Sequence, residues 1–585
     1  MALIMDFACA MNVAMIQSVM KISTAYACVL LALMGSASPG MAQSSAVTAT
    51  FVDATATAGI HFDHRHGGTG ERYMVETMGS GAALADFDGD GWLDIYFVQN
   101  GPTPGFVETK KLVDQYFRNR GDGSFEDATD HTGVSGDGYG LGAAAADYDN
   151  DGFIDLYVTN YGPNRLYRNN GDGTFSDVTD EAGVGDDLWG SSTAWADIDH
   201  DGLLDLYVAN YVDFGWDNNK FCGDSSRGLS AYCHPDEYNA LPDRLYLNVG
   251  DGTFEEIGER AGIADTLDGK GLGVVFADYD DDGDDDAYIA NDSTRNLLYT
   301  NNGDRTFTED GFLAGVGYNE DGRTEAGMGV DWGDYDGDRR LDVVVTNLTL
   351  ETNTLYRNLG EGSFVDASFA TGLGEPSLLF VAFGTNWMDY DNDTDLDLFV
   401  ANGHIIDNIA EFGTKVEGSP LADRTYPQTN HLYRNDGEGY FEEVHSRSGE
   451  GMGLVKVSRG SAVGDVDNDG DLDIMISNSN QSADYLRNDG GNDAGNWIQL
   501  RLVGRRANRN AVGARVTIDE SMVREVRAGS SYCSSSDTRL HVGIGAAGTA
   551  EVVVRWPGGE TASLGSLQAG HLYVVQEGRG VVAIR

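Results

Sequence analysis

Cysteine, proline and basic residues are all scarce in this sequence. Its 585 residues include 5 cysteines and 10 prolines, which excludes a disulfide-dense scaffold and a collagen-like or proline-rich chain. Lysine and arginine total 38 against 94 aspartate and glutamate residues, so the formal net charge is −56. Because so acidic a chain repels phosphate groups, we expect neither nucleic acid nor an anionic membrane surface as a partner.

Long apolar runs are also scarce, and the clearest one lies near the N-terminus. Residues 25–36, AYACVLLALMGS, are too few to span a bilayer and are followed by small residues. The sequence therefore predicts a signal peptide over residues 1–42, with Met20 as an alternative start. We expect a secreted, periplasmic or extracellular protein without a membrane span.

The cysteines beyond the predicted signal peptide agree with an oxidising compartment. Cys222 and Cys233 lie in one insertion, FCGDSSRGLSAYCHP, and we predict a disulfide between them. The alternative is a metal site in which His234 joins the two cysteines. Cys533 is left over, either as a buried free thiol or as a reactive one.

A repeated aspartate motif is what the chain has in abundance. A nine-residue frame with aspartate at positions 1, 3, 5 and 9, as in DYDNDGFID, occurs seven times. Alternating carboxylates followed by a glycine are typical of loops that bind a hard cation such as Ca²⁺, and the carbonyl at position 7 is a further ligand. Two copies carry Arg339 or Thr394 in place of the glycine, and Arg340 adds a positive charge beside the first of these sites.

The motif predicts up to seven calcium ions and a specific set of ligands. They are Asp86, Asp88, Asp90, Trp92 and Asp94; Asp147, Asp149, Asp151, Phe153 and Asp155; Asp197, Asp199, Asp201, Leu203 and Asp205; Asp278, Asp280, Asp282, Asp284 and Asp286; Asp334, Asp336, Asp338, Arg340 and Asp342; Asp389, Asp391, Asp393, Asp395 and Asp397; and Asp465, Asp467, Asp469, Asp471 and Asp473.

Each aspartate loop lies between two strand-like segments, and a second hairpin follows it. The segment after the loop alternates apolar residues, as in DLYVTN, and the hairpin has the pattern Leu-Tyr-x-Asn-x-Gly-Asp-Gly-x-Phe. Four short antiparallel strands per repeat predict an all-β fold, a seven-bladed β-propeller. Because the last repeat lacks its final strand, we expect ATFVDAT, residues 49–55, to complete it.

Two insertions and a C-terminal region depart from the repeat. The insertions cover residues 211–243 and 403–430, and loops of this length on a rigid scaffold often bind partners. From about Asn496 the repeat ends, the charge becomes locally basic, and further strands follow. We therefore expect a propeller over residues 43–495 and a separate small all-β domain over residues 496–585.

These segments together resemble a known family. The aspartate loops and LYxNxGDGxF hairpins look like the FG-GAP and VCBS repeats of integrin α-chain propellers. The tail, GARVTI…REVRAGSSYCSSSDTRLHVGIG…VVVRWPGG, is similar to the ASPIC/UnbV domain. With the opening ETMGSGAALADFDGDGWLDIYFVQNG, they resemble the cartilage acidic protein family. The resemblance implies an exported calcium-binding propeller with a C-terminal β domain, and it implies no single biochemical activity.

Two classes of function remain open on the sequence. The first is a binding module that recognises a protein or glycan through the two insertions, where Tyr211, Phe214, Trp216 and Phe221 could stack on a sugar or pack beneath the loop. The second is a polysaccharide-active enzyme, a lyase or hydrolase. Its candidate residues are His61, His64, His66, His404 and His431, with Glu76 as a further member.

Overall fold

The computed structural model describes residues 49–107, 110–263, 269–412 and 424–585. The predicted signal peptide and residues 413–423 of the second insertion lie outside the described residues. The described chain from residue 49 onward belongs to one compact unit. As predicted, its fold is all-β.

Forty strands make up the described fold. They are β1 Thr50–Asp53; β2 Ala82–Ala85, β3 Asp94–Phe97, β4 Gln115–Asn119 and β5 Phe125–Asp127; β6 Gly140–Ala146, β7 Asp155–Asn160, β8 Arg165–Asn169 and β9 Phe175–Asp177; β10 Gly190–Ala196, β11 Asp205–Asn210, β12 Cys222–Asp224, β13 Leu229–Ala231, β14 Arg244–Asn248 and β15 Phe254–Glu256; β16 Gly271–Ala277, β17 Asp286–Asn291, β18 Leu297–Asn301 and β19 Phe307–Glu309; β20 Val330–Gly333, β21 Asp342–Val345, β22 Thr354–Gly360 and β23 Ser363–Asp366; β24 Ala382–Met388, β25 Asp397–Asn402, β26 Gln428–Thr429, β27 His431–Asn435, β28 Phe441–Glu443 and β29 Val455–Lys456; β30 Ser458–Gly464, β31 Asp473–Asn478 and β32 Asp484–Asp489; and β33 Asn496–Val503, β34 Arg515–Ile518, β35 Met522–Glu525, β36 Leu540–Gly545, β37 Thr549–Arg555, β38 Thr561–Gln568, β39 His571–Gln576 and β40 Gly580–Ile584.

The described helices are all one turn long. The α-helices are Thr129–Thr132, Thr179–Ala182, Gly258–Ala261, Gly311–Ala314, Gly374–Ser377, Ile409–Phe412 and Gly491–Ala494. The 3₁₀ helices are Met74–Thr77, Trp216–Asn218, Pro235–Glu237, His445–Arg447 and Gly451–Gly453.

Seven four-stranded antiparallel sheets correspond to the seven repeats, and we number them in chain order. Sheets 1 to 7 contain β2-β3-β4-β5, β6-β7-β8-β9, β10-β11-β14-β15, β16-β17-β18-β19, β20-β21-β22-β23, β24-β25-β27-β28 and β30-β31-β32-β1. In sheet 7 the N-terminal strand β1 pairs with β32, with Phe51 opposite Asn488. The prediction that residues 49–55 complete the last repeat is confirmed, and this pairing covers an edge of β32.

A repeated asparagine joins each sheet to its neighbour. The Asn of the Leu-Tyr-x-Asn motif lies at or near the end of the third strand, and its side-chain amide donates to a carbonyl in the aspartate loop of the preceding sheet. The donor Nδ2 atoms and acceptor carbonyls are Asn119 to Val466 (3.1 Å), Asn169 to Phe87 (2.8 Å), Asn248 to Tyr148 (2.9 Å), Asn301 to Ile198 (2.9 Å), Asn358 to Tyr279 (2.9 Å), Asn435 to Tyr335 (2.8 Å) and Asn488 to Tyr390 (2.7 Å). Sheet 1 thus bonds to sheet 7, and the seven bonds form a closed cycle.

The strands after residue 496 form two further four-stranded sheets. One has the order β36-β33-β39-β40 and the other β35-β34-β37-β38. Their apolar side chains, among them Ile498, Val516 and Val554, belong to the same buried cluster as Tyr157 and Trp195 of sheets 2 and 3. The C-terminal region, residues 496–585, therefore shares a core with the ring.

One loop of the C-terminal region enters the middle of the ring. We call residues 528–537, between β35 and β36, the plug. It bonds to the first strands of six sheets, through Ser535 N–H to Ala82 O, Ala143 N–H to Cys533 O, Cys533 N–H to Ser192 Oγ, Ser531 N–H to Val330 O, Thr385 N–H to Ser531 Oγ and Val463 N–H to Ser536 Oγ, at 2.8–3.1 Å. Because the first strands of successive sheets contact one another, the plug lies on the axis that they line.

The plug explains the unpaired cysteine. Cys533 is buried and free, among Leu141, Leu272 and Met328. Burial raises the pKa of its thiol to about 12, so it stays protonated and unreactive at neutral pH. Of the two alternatives for Cys533, the structure favours the buried free thiol.

The asparagine cycle generates a stability prediction. Replacing Asn169 by alanine removes both amide bonds, to Phe87 O and Ile154 O, and leaves buried carbonyls unsatisfied. We expect a loss of about 2–3 kcal/mol in the free energy of unfolding, measured by denaturant titration. The matched control is Asn170→Ala, whose exposed side chain bonds only Thr174 and Ser176. Equal effects of the two substitutions would contradict the structural role of the cycle.

Candidate metal centres on one edge of the ring

The seven aspartate loops connect the first and second strands of their sheets, so they all lie on one edge of the ring. In at least five loops the ligand atoms of three aspartates lie within 4.8 Å of one another. These groups are Asp86–Asp88–Asp90, Asp147–Asp149–Asp155, Asp197–Asp199–Asp205, Asp278–Asp280–Asp282 and Asp334–Asp336–Asp342. Hard oxygen donors converging in this way are what Ca²⁺ prefers.

The carboxylate at position 1 is held by the backbone of its own loop. In the second loop, Asp147 Oδ2 accepts the N–H of Gly152 at 2.8 Å. Gly152 has φ 101°, in the region that residues with a Cβ rarely adopt. The glycine at position 6 therefore turns its N–H toward the carboxylate without the steric strain that a Cβ would add.

The two loops without this glycine keep the same bond. Arg339 N–H reaches Asp334 Oδ2 at 3.0 Å, and Thr394 N–H reaches Asp389 Oδ2 at 3.1 Å. Arg339 and Thr394 adopt φ 70° and 97°, so both loops retain the left-handed turn at some cost in backbone strain. The lost glycines therefore do not change how the position 1 carboxylate is held.

A second oxygen in each loop is buried and has no hydrogen-bond partner among the described residues. These atoms are Oδ1 of Asp86, Asp147, Asp197, Asp278 and Asp334 at position 1, and Oδ1 of Asp391 and Asp467 at position 3. A buried anionic oxygen without a donor is costly, and a bound cation removes that cost. The donor set therefore fits Ca²⁺ in all seven loops.

The aspartate at position 9 connects the loop to the neighbouring hairpin. In every sheet its Oδ1 accepts the backbone N–H of the cycle asparagine at 2.7–2.8 Å, as in Asn169 to Asp155. Asp155 Oδ2 accepts the N–H of Tyr148 in the loop itself, at 3.2 Å. The sequence marks position 9 as a ligand, and the structure gives it this additional structural role.

The aspartate at position 5 is also engaged by the backbone, through the residue at position 7. Asp151 Oδ1 accepts the N–H of Phe153 at 2.9 Å, and Asp90 Oδ1 accepts that of Trp92 at 2.9 Å. Corresponding bonds at 2.9–3.1 Å connect Asp201 to Leu203, Asp282 to Asp284, Asp338 to Arg340, Asp393 to Asp395 and Asp469 to Asp471. The use of the position 7 carbonyls as ligands stays a prediction.

Burial dominates the electrostatics of these carboxylates. Removal from water raises the pKa of Asp147 and Asp197 to about 7 and that of Asp465 to about 8, and repulsion from neighbouring aspartates adds to each shift. The charged loops are thus destabilised mainly by desolvation, and only secondarily by like charge. A bound divalent cation reverses the shift, because it favours the charged form.

Arginines of the C-terminal region reach this edge of the ring. Arg555 pairs with the carboxylate of Asp278, and Arg515 donates to the carbonyls of Asp278 at 3.0 Å and Arg339 at 2.7 Å. Arg539 donates to the Asp465 carbonyl at 3.0 Å. The locally basic composition of the tail was the sequence signal for this contact, but it did not identify the arginines or their loops.

The predicted disulfide is present in the first insertion. Cys222 and Cys233 are bonded, with their Cα atoms 5.1 Å apart, which excludes the alternative metal site with His234. Tyr211 and Phe214 are buried beneath this insertion, so they pack rather than present a surface. Trp216 is half-buried, and Phe221 is 64% exposed.

His64 and His404 are buried histidines, and each accepts a backbone N–H. His64 is buried, its Nδ1 accepts the N–H of Asn480 at 2.9 Å, and burial lowers its pKa to about 3. His404 is buried and accepts the N–H of Ile406 at 3.0 Å, and burial lowers its pKa to about 4. His61 is exposed.

The other three candidates are His66, His431 and Glu76, and the structure brings His66 and Glu76 together: a methyl group placed on Gly68 would lie 2.6 Å from His66 Cε1 and 2.7 Å from Glu76 Oε2. His431 is buried and lies 2.9 Å from the Tyr433 hydroxyl. Glu76 is also buried, and its carboxylate accepts from the Tyr232 hydroxyl at 3.0 Å and the Tyr73 N–H at 3.2 Å. His66 Nδ1 accepts the N–H of Gly68 at 3.0 Å.

The raised aspartate pKa values predict opposite pH responses with and without calcium. In chelator, the pKa values of Asp147 and Asp465 in the folded protein, about 7 and about 8, exceed their values in the unfolded chain. Above pH 8 the buried charges therefore lower the free energy of unfolding by their full amount, and this loss is relieved as the pH falls to 5. Melting temperature in chelator should therefore rise on acidification over this window. With millimolar calcium it should fall, because protons then compete with the cation. Scanning calorimetry at both conditions checks this, and parallel curves would contradict it.

Two family models match this chain and support the repeat architecture. The FG-GAP-like repeat family model matches residues 86–158, 147–208, 236–289, 278–345 and 334–400, and the ASPIC and UnbV model matches residues 504–582. Among solved structures, a lectin of Agrocybe aegerita that recognises non-reducing terminal N-acetylglucosamine aligns with TM-score 0.34 and 17% identity, over 63% of this chain and 79% of the lectin.

The curated proteins similar to this chain are cartilage acidic protein 1 from different animals. Cartilage acidic protein 1 of Homo sapiens is 27% identical over 333 residues, covering 55% of this chain and 46% of the relative. That of Mus musculus is 27% identical over 334 residues, covering 55% and 47%. The chain thus spans about half the length of the curated relatives it matches. It is an FG-GAP repeat protein with an ASPIC and UnbV domain, related to cartilage acidic protein 1.

Proposed function

We propose that this chain is an exported, calcium-stabilised binding module that recognises a protein or a glycan through its two insertions. Residues 43–495 form the propeller in this proposal and residues 496–585 the ASPIC and UnbV domain. The FG-GAP repeats fit a binding or interaction module. In the described residues no helix combines the length and apolar character that crossing a membrane requires. The Cys222–Cys233 disulfide supports an oxidising compartment.

Calcium serves a structural purpose in this proposal. The aspartates at positions 1, 3, 5 and 9 and the carbonyl at position 7 of each loop hold the ion, up to seven ions in all. The cation neutralises buried carboxylates, which then keep their bonds to the loop and to the cycle asparagine. The buried oxygens without donors support this assignment.

The observation that carries the binding proposal is that the two insertions meet. Both follow the second strand of their sheets, so they lie on the edge opposite the aspartate loops. Asn408 Nδ2 donates to the Ser230 carbonyl at 3.2 Å, and Arg227 donates to the Glu411 carbonyl at 2.7 Å. Two insertions from sheets 3 and 6 therefore build one surface.

A third segment reinforces this surface. Arg72, from the chain before β2, bonds Ser230 Oγ at 3.0 Å and pairs with Asp407. Its guanidinium also lies 5.3 Å from the ring centre of Tyr232. Such fixed loops are suited to recognition, because little conformational entropy is lost when a partner binds.

Binding through the insertions predicts selective loss of ligand in a surface variant. Phe221→Ser combined with Arg227→Ser removes an exposed aromatic and an inter-insertion contact without disturbing Tyr211 or Phe214. A glycan array and a displayed panel of extracellular proteins would be probed with wild type and this variant. We expect at least fivefold weaker retention of any ligand that wild type binds, and no change for Val249→Ser on the other edge.

Two results would contradict the proposal. Equal retention by the insertion variant would place binding elsewhere. Depolymerisation of a polysaccharide by pure wild type, abolished in His66→Ala or His404→Ala, would instead favour the polysaccharide-active enzyme. Product formation is followed by the appearance of new reducing ends or unsaturated sugars.

A further inference from the structure

The seven repeats allow each surface position to be compared with its equivalents in the same chain. After the fourth strand, sheets 1 to 4 place two exposed residues in a one-turn helix, and sheet 5 has an equivalent turn. In sheets 1 to 3 these residues are charged or polar: Asp130 and His131, Asp180 and Glu181, and Glu259 and Arg260. In sheet 4 they are Phe312 and Leu313, which are 67% and 79% exposed, and in sheet 5 the first is Phe369, 53% exposed.

The fourth strand shows the same change of character. In sheets 1 to 3 the phenylalanine of the fourth strand is followed by Glu126, Ser176 or Glu255. In sheet 5 it is followed by Val365, which is 46% exposed. The residue before that phenylalanine is a serine or threonine in sheets 1 to 5. In sheet 6 it is Tyr440, 53% exposed. The apolar substitutions thus fall in three consecutive sheets.

These residues lie along one continuous stretch of the outer rim. The glycine that ends each turn abuts the fourth strand of the next sheet. A methyl group placed on Gly315 would lie 3.0 Å from the Phe364 carbonyl oxygen. One placed on Gly372 would lie 2.8 Å from the Phe441 carbonyl oxygen and 2.7 Å from the Tyr440 ring. We call Phe312, Leu313, Val365, Phe369 and Tyr440 the rim arc.

The charge around the rim arc restricts what can cover it. Exposed Glu320 and Asp321 follow Leu313 by seven and eight residues, with exposed Arg323 after them, and exposed Glu361 precedes Val365 by four. Glu320 N–H bonds the carboxylate of Asp366, the residue after Val365, at 3.0 Å, which brings this acidic turn to the arc. A second copy of this chain, with formal charge −56, would bring like charge to the same place. A partner with apolar side chains between lysines or arginines is complementary to both features.

We propose that the rim arc is a docking surface for a cationic, amphipathic segment of a partner protein. Its aromatic and aliphatic side chains supply apolar contact area, and the flanking carboxylates attract the basic residues of the partner. The surface is distinct from the insertions and from the aspartate loops, so it goes beyond the function proposed above and does not depend on it.

Because equivalent positions in sheets 1 to 3 are polar, a charge-neutral variant is available. Phe312→Ser, Leu313→Gln and Phe369→Ser are combined in the full mature chain. Val249→Ser with Leu359→Gln is the matched control, since those residues are 48% and 54% exposed outside the arc. The single substitution Leu313→Gln serves if the triple variant does not fold.

The probe is a synthetic 18-residue amphipathic helix of leucine and lysine, with serine–lysine and leucine–glutamate helices of equal length for comparison. Fluorescence anisotropy measures binding in calcium-containing buffer. We expect the leucine–lysine helix to bind wild type and control at least tenfold more tightly than the arc variant. The serine–lysine helix should not distinguish them, and the leucine–glutamate helix should not bind.

Either of two results would overturn the proposal. One is equal affinity of the leucine–lysine helix for wild type and arc variant. The other is a wild-type dimer in sedimentation velocity that the arc variant lacks, which would make a second copy the occupant. A change in insertion-dependent ligand retention, by contrast, bears on the proposed function alone, so the two failures are distinguishable.

Discussion

The burial of carboxylates at one edge of the ring is the constraint on which the rest of the structure depends. Each repeat removes aspartates from water, and desolvation raises their pKa values toward or above neutrality. The same side chains organise the fold, since position 1 holds its own turn and position 9 holds the asparagine that bonds the loop of the preceding sheet. A cation bound in the loop would therefore stabilise the contacts within a sheet and between sheets together.

The C-terminal region adds to this arrangement in two ways. Its arginines bring positive charge to the acidic edge, as Arg555 does at Asp278. Its plug occupies the axis with a mostly polar loop whose backbone groups bond the surrounding first strands. Tyr532 also packs against Phe383, with ring centres 5.0 Å apart. Because the C-terminal region contacts the edge that carries the aspartate loops, the opposite edge and the outer rim remain for partners.

The parts of the fold set by short-range pattern could be predicted from the sequence. Period-two alternation, the aspartate frame and the glycine turns identify the strands and loops, and the truncated last repeat identifies β1 as its missing strand. The Cys222–Cys233 pair was likewise evident from one local insertion. The repeated asparagine was visible in the sequence. Its two roles, as a turn residue and as a hydrogen-bond donor to the neighbouring sheet, could not be distinguished from the residue type alone. In the structure Asn169 does both, since Gly171 N–H bonds its Oδ1 at 3.0 Å.

Long-range placement could not be predicted, because it depends on packing between distant segments. The serine-rich stretch that forms the plug has the composition of a surface loop. Tyr211 and Phe214 are buried although their segment is an insertion, and the approach of His66 to Glu76 depends on how the chain before β2 folds back. The rim arc depends on the exposure of Phe312, Leu313 and Phe369 and on the contact between successive sheets, and residue type alone predicts neither.

Native mass spectrometry of the full chain, purified in calcium and exchanged into volatile buffer, tests the central claim most directly. The account predicts several bound calcium ions, up to seven. It also predicts that Asp147→Asn, which weakens a single loop at its buried position 1, lowers the count by one. A chain that retains no calcium, or a count that the substitution leaves unchanged, would contradict it.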